Sequence, residues 1–384
     1  MTGILVFFHC GSNIGYAVGR HEVTFADMAL RLAGSFDELH FGYPNFKNGI
    51  SSKLPEQLKN FIQFDSSSTN HSHLQQVKHY INNNNIQLAF GFDQKIKKKS
   101  YQYLRKGGVR WFISYWGAPM SSLYSQVILP LRKIQYRIKR GGPDHYIFQS
   151  EDMRRTATHG VGIPYHRTSV IRSGVDVETF KPTSEPTLYV HDMFDINRNR
   201  KVIYYSGHME ERKGIHVIIK AAVHLITSLQ RKDLHFVFLG NKNGEEINFI
   251  NLYKNTIAED YITFAGYRED VANIQASSYL AVIASTGWDS HTMTAVEVAA
   301  SGLPLLVSDL PGIREAVTDE TGLLFTPGDF FDLAEKICII ADDQKMRDRL
   351  GEAARQRVLE GYTFEHQVRG LEEVVRKVTN NEFY

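Results

Sequence analysis

Short apolar runs separated by helical patterns constrain this chain more than any other feature. The first half carries ILVFFH (4–9), IQLAFGF (86–92), VRWFISY (109–115), HYIFQS (145–150) and TSVIRS (168–173). The second repeats the scheme with KVIYYSG (201–207), LHFVFLG (234–240), YITFAG (261–266), YLAVIAS (279–285), LPLLVS (303–308) and TGLLFTP (321–327). A strand with one wet face alternates apolar and polar residues. A run that is apolar throughout suits a strand covered on both faces, as in the parallel sheets of α/β proteins. Two such series, with amphipathic or basic helices between them, predict an α/β chain of two Rossmann-like domains. Turn-formers and charge concentrate in KPTSEPTLYVHDMFDINRNR (181–200), which places the joint there.

Charge is divided between the halves. Residues 1–184 carry 23 Lys and Arg against 12 Asp and Glu, whereas the remaining 200 carry 21 against 30. A positive front half implies an anionic partner, either a membrane surface or a phosphorylated acceptor. Nucleic acid is not expected, because no zinc-finger, RRM or KH signature appears. The helix-like VILPLRKIQYRIKRGG (127–142) interleaves Arg132, Lys133, Arg137, Lys139 and Arg140 with Leu131, Ile134 and Ile138. That pattern suits a helix lying on an anionic bilayer, and equally a packed helix with a solvated basic face. KIKKKS (95–100) reads as a solvated face. No run approaches the ~20 apolar residues of a membrane span. MTGILVFFHCGSN reads as a first strand rather than a signal peptide. Two distant cysteines, Cys10 and Cys338, are no disulfide framework, so a cytoplasmic location is expected. No His/Cys/Asp cluster has metal-ligand spacing, and none is expected to bind metal.

In open α/β sheets ligands bind beyond the carboxyl ends of strands, where turns lead into helix N-termini. Three turns qualify. In HCGSNIGYAVG, Gly11 and Gly15 permit close backbone approach to a ligand, or merely make a tight turn; the spacing is not G-x-G-x-x-G. In SGHMEERKG, Arg212 and Lys213 are suited to a diphosphate, one as a fork and one as a point charge. In TGWDSHTMTAVEVAA, a helix begins near Thr292, and the N–H groups of Thr292, Met293, Thr294 and Ala295 offer an anion site. Asp289 precedes that helix. Glu297 lies within it, on the face of Met293. Two carboxylates around a phosphate site suit the paired hydroxyls of a ribose and a hexose. Tyr115 and Trp116 either offer a sugar-stacking platform or cap a strand inside the core.

Several segments, in the same order, resemble the retaining glycosyltransferases of family 4, with their GT-B fold of two facing Rossmann-like domains. VIRSGVDVETFKP (170–182) resembles the family's NGVD segment, with Ser173 for Asn. SGHMEERKG (206–214) resembles its GR…KG turn, ITFAGY (262–267) its V.F.G strand, and WDSHTMTAVEVAASGLPLLVS (288–308) its E-x7-E element. PGIREAV (311–317) and TGLLFTPGD (321–329) match the family's next two segments. YTFEHQVRGLEEVVRKV (362–378) resembles the last helix, which crosses back to the first domain. The resemblance implies an acceptor-binding domain of 1–184 plus 365–384 and a nucleotide-sugar-binding domain of 185–364.

It also implies roles. Glu297 would hold the ribose hydroxyls. Asp289, with His291, Thr292, Met293 and Thr294, would hold the hexose and distal phosphate. Lys213 would stabilise the diphosphate leaving group, assisted by His208 or Arg212. Phe264, Gly266 and Tyr267 would line the base, while Gly11 and Gly15 would approach the phosphates from the other side of a cleft. The implied activity is metal-independent hexosyl transfer, without cofactor, from a nucleotide-diphosphate sugar to a glycan or lipid-linked glycan in surface polysaccharide or glycolipid synthesis. Three departures bear on this. Asp289 stands where Glu is usual, and His208 where Arg is usual. SYWGAPMSS (114–122) lacks the His-Asp pair of many members, so no general base is assigned. A catalytically silent glycan-binding protein and a nucleotide-sugar epimerase of the same fold are the alternatives.

Overall fold

The computed structural model describes residues 3–121, 128–138, 141–183, 187–242, 244–289 and 292–383. Its contacts divide the chain into two compact units, Met1–Arg172 with Glu365–Tyr384, and Ser173–Phe364.

The first unit is built on seven strands: β1 (Ile4–Phe7), β2 (Leu39–Tyr43), β3 (Asn60–Gln63), β4 (Leu88–Phe92), β5 (Trp111–Trp116), β6 (His145–Phe148) and β7 (Thr168–Val170). Their order is β3-β2-β1-β4-β5-β6-β7, and every pairing is parallel. The five apolar runs of the first half are all strands. β2 and β3 are additions. LHFGY has a histidine and a glycine inside its apolar pattern, and NFIQ is a short, half-buried edge strand. Helix Tyr16–Ala33 covers the sheet with Phe25, Met28, Ala29 and Leu32. Beneath it Phe8 stacks on Tyr43 at 5.2 Å, and Phe25 meets Phe90 edge-on at 4.9 Å. Burying each such side chain contributes about 1.5–3 kcal/mol, so this layer fixes the sheet's face firmly. The C-terminal helix Phe364–Thr379 packs in the same unit through Val368, Leu371 and Val375.

The second unit has β8 (Lys201–Ser206), β9 (Leu234–Leu239), β10 (Ile262–Gly266), β11 (Leu280–Ile283), β12 (Leu305–Ser308) and β13 (Gly322–Phe325). All six answer to apolar runs of the sequence. They form a parallel sheet in the order β10-β9-β8-β11-β12-β13, with a buried apolar cluster on each face. Each sheet therefore reverses its strand order once, between β1 and β4 in the first unit and between β8 and β11 in the second. Such switch points leave a crevice beyond the strands' carboxyl ends.

The contact boundary at Arg172/Ser173 lies ahead of the joint read from the sequence. Residues 173–183 are held to the second unit by specific bonds. Val175 bridges Thr363 in parallel, and the Arg355 guanidinium donates to the carbonyls of Phe180, Ala300 and Val177. Among the described residues no helix is long and apolar enough to cross a membrane. The segment 127–142 lies partly outside the described residues. Its described part is the helix Leu129–Ile138, where Leu131, Lys133 and Ile134 are exposed.

Candidate active site at the second switch point

β8 and β11 are neighbours, so the turns at their carboxyl ends emerge side by side. The turn after β8 closes on Gly214 at φ +71, a left-handed conformation that costs little only for glycine. A Cβ there would stand 1.7 Å from the Ala284 carbonyl oxygen. Glycine thus lets the 208–214 turn lie directly on the end of β11. Two further bonds lock the turns, from Thr286 N–H (2.8 Å) and Gly287 N–H (3.3 Å) to the Arg212 carbonyl.

This contact brings Lys213 to Asp289. The ammonium donates to Asp289 Oδ1 at 3.1 Å and Oδ2 at 2.8 Å, with the side chains only 15% and 4% exposed. Ser285 Oγ–H donates to the same Oδ2 at 2.6 Å. Sequence reasoning missed Ser285; its only signal was a hydroxyl residue at the end of an apolar strand. Arg212 turns outward. It pairs with Glu210 at 2.7 Å, donates to the Trp288 carbonyl and lies over the Trp288 ring at 4.4 Å. His208 is exposed, and its carbonyl accepts from the Tyr205 hydroxyl at 3.1 Å.

The expected helix is Met293–Ala300, with Thr292 as its N-cap, the Thr292 Oγ1 accepting from Ala295 N–H at 3.3 Å. One of the four anticipated N–H donors is thereby engaged within the protein. Thr292, Met293 and Thr294 are half-buried, and His291 lies outside the described residues. Glu297 is buried on this helix at 5% exposure. Tyr204 on β8 has a hydroxyl held well above its ordinary range, first by burial and in lesser part by the Glu297 charge.

The ITFAGY segment splits into two environments. Phe264 stacks inward on Phe238 at 5.0 Å and forms part of the core's aromatic layer. Tyr267 is 57% exposed, with the Lys242 ammonium 5.6 Å from its ring centroid. Between them Gly266 N–H donates to Asn241 Oδ1 at 2.8 Å, while Asn241 Nδ2 donates to Glu246 at 2.8 Å. Lys242 and Asn241, both at the end of β9, were not singled out in the sequence.

In the first unit, Gly15, at φ +123, is the N-cap of helix Tyr16–Ala33 and has open space where a Cβ would stand. Gly11 backs onto the Asn45 side chain, and Ser12 ties this turn to the Gly49 carbonyl at 2.6 Å. Tyr115 is fully buried, its ring packed against His21 (5.3 Å), Phe25 (5.2 Å) and Phe92 (6.4 Å). Trp116 is buried against Tyr146, Phe148 and Met153. Both occupy core positions, with protein neighbours where a sugar face would have stacked. Among the described residues no group of three or more His, Cys, Asp or Glu is placed to hold a metal ion.

Comparison with known proteins agrees with this architecture. Residues 191–357 match the family described as Glycosyl transferases group 1. The chain is 23% identical over 221 residues to the N-acetyl-alpha-D-glucosaminyl L-malate synthase of Bacillus anthracis, covering 56% of this chain and 57% of that one. It is 25% identical over 205 residues to the UDP-Gal:alpha-D-GlcNAc-diphosphoundecaprenol alpha-1,3-galactosyltransferase of Escherichia coli, covering 53% and 52%. The chain spans about half the length of the curated relatives it matches. Among solved structures it resembles a glycosyltransferase from Rickettsia africae ESF-5 (TM-score 0.80, 15% identity, 99% of both chains). It also resembles Anabaena Alr3699/HepE in complex with UDP (TM-score 0.77, 17% identity, 98% and 100%). The fold is GT-B, with two Rossmann-like units.

Proposed function

We propose that this chain, a GT-B protein whose second unit matches group 1 glycosyl transferases, is a retaining glycosyltransferase of family 4. It moves a hexose from a nucleotide-diphosphate sugar to a glycan or lipid-linked glycan. The observation that carries the reading is the Lys213–Asp289 pair at the β8/β11 switch point, beside the helix that bears Glu297. An ammonium has three N–H donors, and its two bonds to Asp289 leave at least one for a diphosphate oxygen. Asp289 and Ser285 then hold Lys213 where negative charge develops as the sugar–phosphate bond breaks, stabilisation that needs no reorganisation during the reaction. Glu297 takes the ribose hydroxyls, and Tyr267 with Lys242 takes the base, Phe264 supporting them from the core side. The Met293 and Thr294 N–H groups join Lys213 in the work a metal ion does elsewhere. In the transfer, the acceptor oxygen bonds to the anomeric carbon and the carbon–phosphate oxygen bond breaks. Its electron pair stays on the diphosphate, which also receives the acceptor's proton.

The Escherichia coli relative, a galactosyltransferase named for a diphosphoundecaprenol-linked acceptor, supports a role in surface glycan or glycolipid synthesis. The exposed Leu131, Lys133 and Ile134 of helix Leu129–Ile138 fit contact with an anionic bilayer at the cytoplasmic face. A second reading, a silent carbohydrate binder, is favoured by one observation: Asp289 is already engaged by Lys213 and Ser285. The test is titration with UDP, GDP, ADP and their common sugar conjugates, beside Glu297→Ala, followed by analysis of the product's anomeric configuration. Selective binding of one nucleotide, weakened at least tenfold by Glu297→Ala, supports the transferase. No binding by any nucleotide moves the reading to the silent protein.

A further inference from the structure

The first unit has a switch point of its own, and two polar side chains meet there. His9 follows β1 and Asp93 follows β4, the adjacent strands at which that sheet's order reverses. Asp93 is held rigidly. Its N–H donates to the Tyr115 carbonyl at 2.8 Å, and its Oδ1 accepts from Gly117 N–H at 2.8 Å, pinning it across the ends of β4 and β5. It does so at φ +53, a left-handed conformation that Asp adopts more readily than most residues because its short side chain bonds nearby backbone, here Gly117 N–H. Asp93 Oδ2 lies 3.9 Å from His9 Nδ1, and no hydrogen bond to it is made among the described residues. His9 is 42% exposed, its ring lying 5.5 Å from Phe92.

We propose that His9 and Asp93 form a hydroxyl-binding dyad that anchors a sugar of the acceptor in the first unit. A gap of 3.9 Å is too long for a direct hydrogen bond, but it admits a third oxygen. A hydroxyl oxygen at about 2.8 Å from both atoms subtends roughly 90°, so it can donate to Asp93 and accept from a His9 Nδ1–H. The carboxylate needs no rearrangement to do this, because Oδ1 stays on Gly117. The neighbouring Cys10 is no competitor. Burial first, and then the charges of Asp93 and Glu22, push its thiol up to about 11, so it stays protonated. Nor is Glu22, whose Oε1 accepts from the Tyr43 hydroxyl at 2.8 Å. The ligand class is a polyol, and the word acceptor rests on the transferase reading, whereas the dyad's affinity for hydroxyls does not.

The test is saturation-transfer NMR of the full chain with the methyl glycosides of glucose, galactose, mannose and N-acetylglucosamine, beside a nucleotide titration. The variants are His9→Ala, Asp93→Asn (which keeps an oxygen for Gly117 N–H) and Glu297→Ala. At least one glycoside is expected to bind and to weaken tenfold or more in both His9→Ala and Asp93→Asn, with nucleotide affinity unchanged in each. Glu297→Ala is expected to leave glycoside binding intact. Binding that is equal in wild type and both dyad variants overturns the proposal, as does the absence of binding by every glycoside. Failure of nucleotide binding is read on its own titration and counts against the transferase alone.

Discussion

Lys213 donates to both carboxylate oxygens of Asp289, 76 residues further along the chain, in a site where neither side chain is more than 15% exposed. A pair so placed is worth little net, because desolvating two charges offsets most of their attraction, yet stranding one of them is costly. Asp289→Ala is expected to lower stability by about 3–5 kcal/mol. The double change Lys213→Met, Asp289→Leu is expected to recover most of that loss. Urea denaturation of the three proteins checks both statements, and a double variant as unstable as the single one would refute the argument.

Gly214 makes that pairing possible. Gly214→Ala places a Cβ against the Ala284 carbonyl at a left-handed φ, and a loss of at least about 2 kcal/mol is expected. Gly34 is the control. It is also left-handed, at φ +81 after helix Tyr16–Ala33, but has open space around it. Gly34→Ala should cost only roughly 1 kcal/mol. Equal losses in thermal melts would mean that the Ala284 contact is irrelevant.

Tyr115 behaves as a core residue. Tyr115→Ala is expected to cost about 3–5 kcal/mol through the cavity left among Phe25, Phe92 and His21. Tyr115→Phe removes only the hydroxyl, which accepts from Gln367 Nε2 at 3.3 Å and donates to the Ile171 carbonyl at 3.5 Å, a loss of about 1 kcal/mol. Denaturation midpoints decide it. A Tyr115→Ala protein as stable as wild type would return the residue to the surface.

Acid should destabilise the fold through its buried histidines. Burial, reinforced by Arg200, pushes His235 down to about 3, and burial pushes His21 and His145 to about 3 and His40 to about 4. The Arg200 guanidinium faces His235 Nδ1 at 3.2 Å, while Nε2 faces Thr263 Oγ1 at 2.8 Å, so an added proton would oppose Arg200. Below about pH 6.5 the unfolded chain binds protons that the folded one refuses. Stability therefore falls as pH drops from about 6.5 toward 3, by up to about 1.4 kcal/mol per pH unit for each histidine. His235→Gln should flatten the slope of urea midpoints between pH 7 and pH 4.5. An unchanged slope would exclude His235 as a contributor.

The second unit was nearly all legible in the sequence. Its six strands are predominantly apolar runs, because doubly covered parallel strands bury both faces. In the first unit β2 and β3 were not legible, since His40 and Gly42 together leave only three apolar residues in a five-residue strand and NFIQ is a half-buried edge strand. Lys213, Asp289 and Glu297 stand out as candidates in the sequence because turns after strands and helix starts advertise themselves locally. Ser285, Lys242 and the His9–Asp93 pair were not, because each acquires meaning only from a neighbour on another strand.

The sequence by itself determined the α/β class, the two strand series, the turn at Gly214 and the helix that begins after Thr292, all of which arise from local periodicity and turn chemistry. Tertiary structure decided the rest. Strand order alone sets β8 against β11 and β1 against β4, and so joins Lys213 to Asp289 and His9 to Asp93. Packing sent Tyr115 and Phe264 into the core and left Tyr267 in water, because an aromatic residue at a strand's end carries no local mark of which side will be covered.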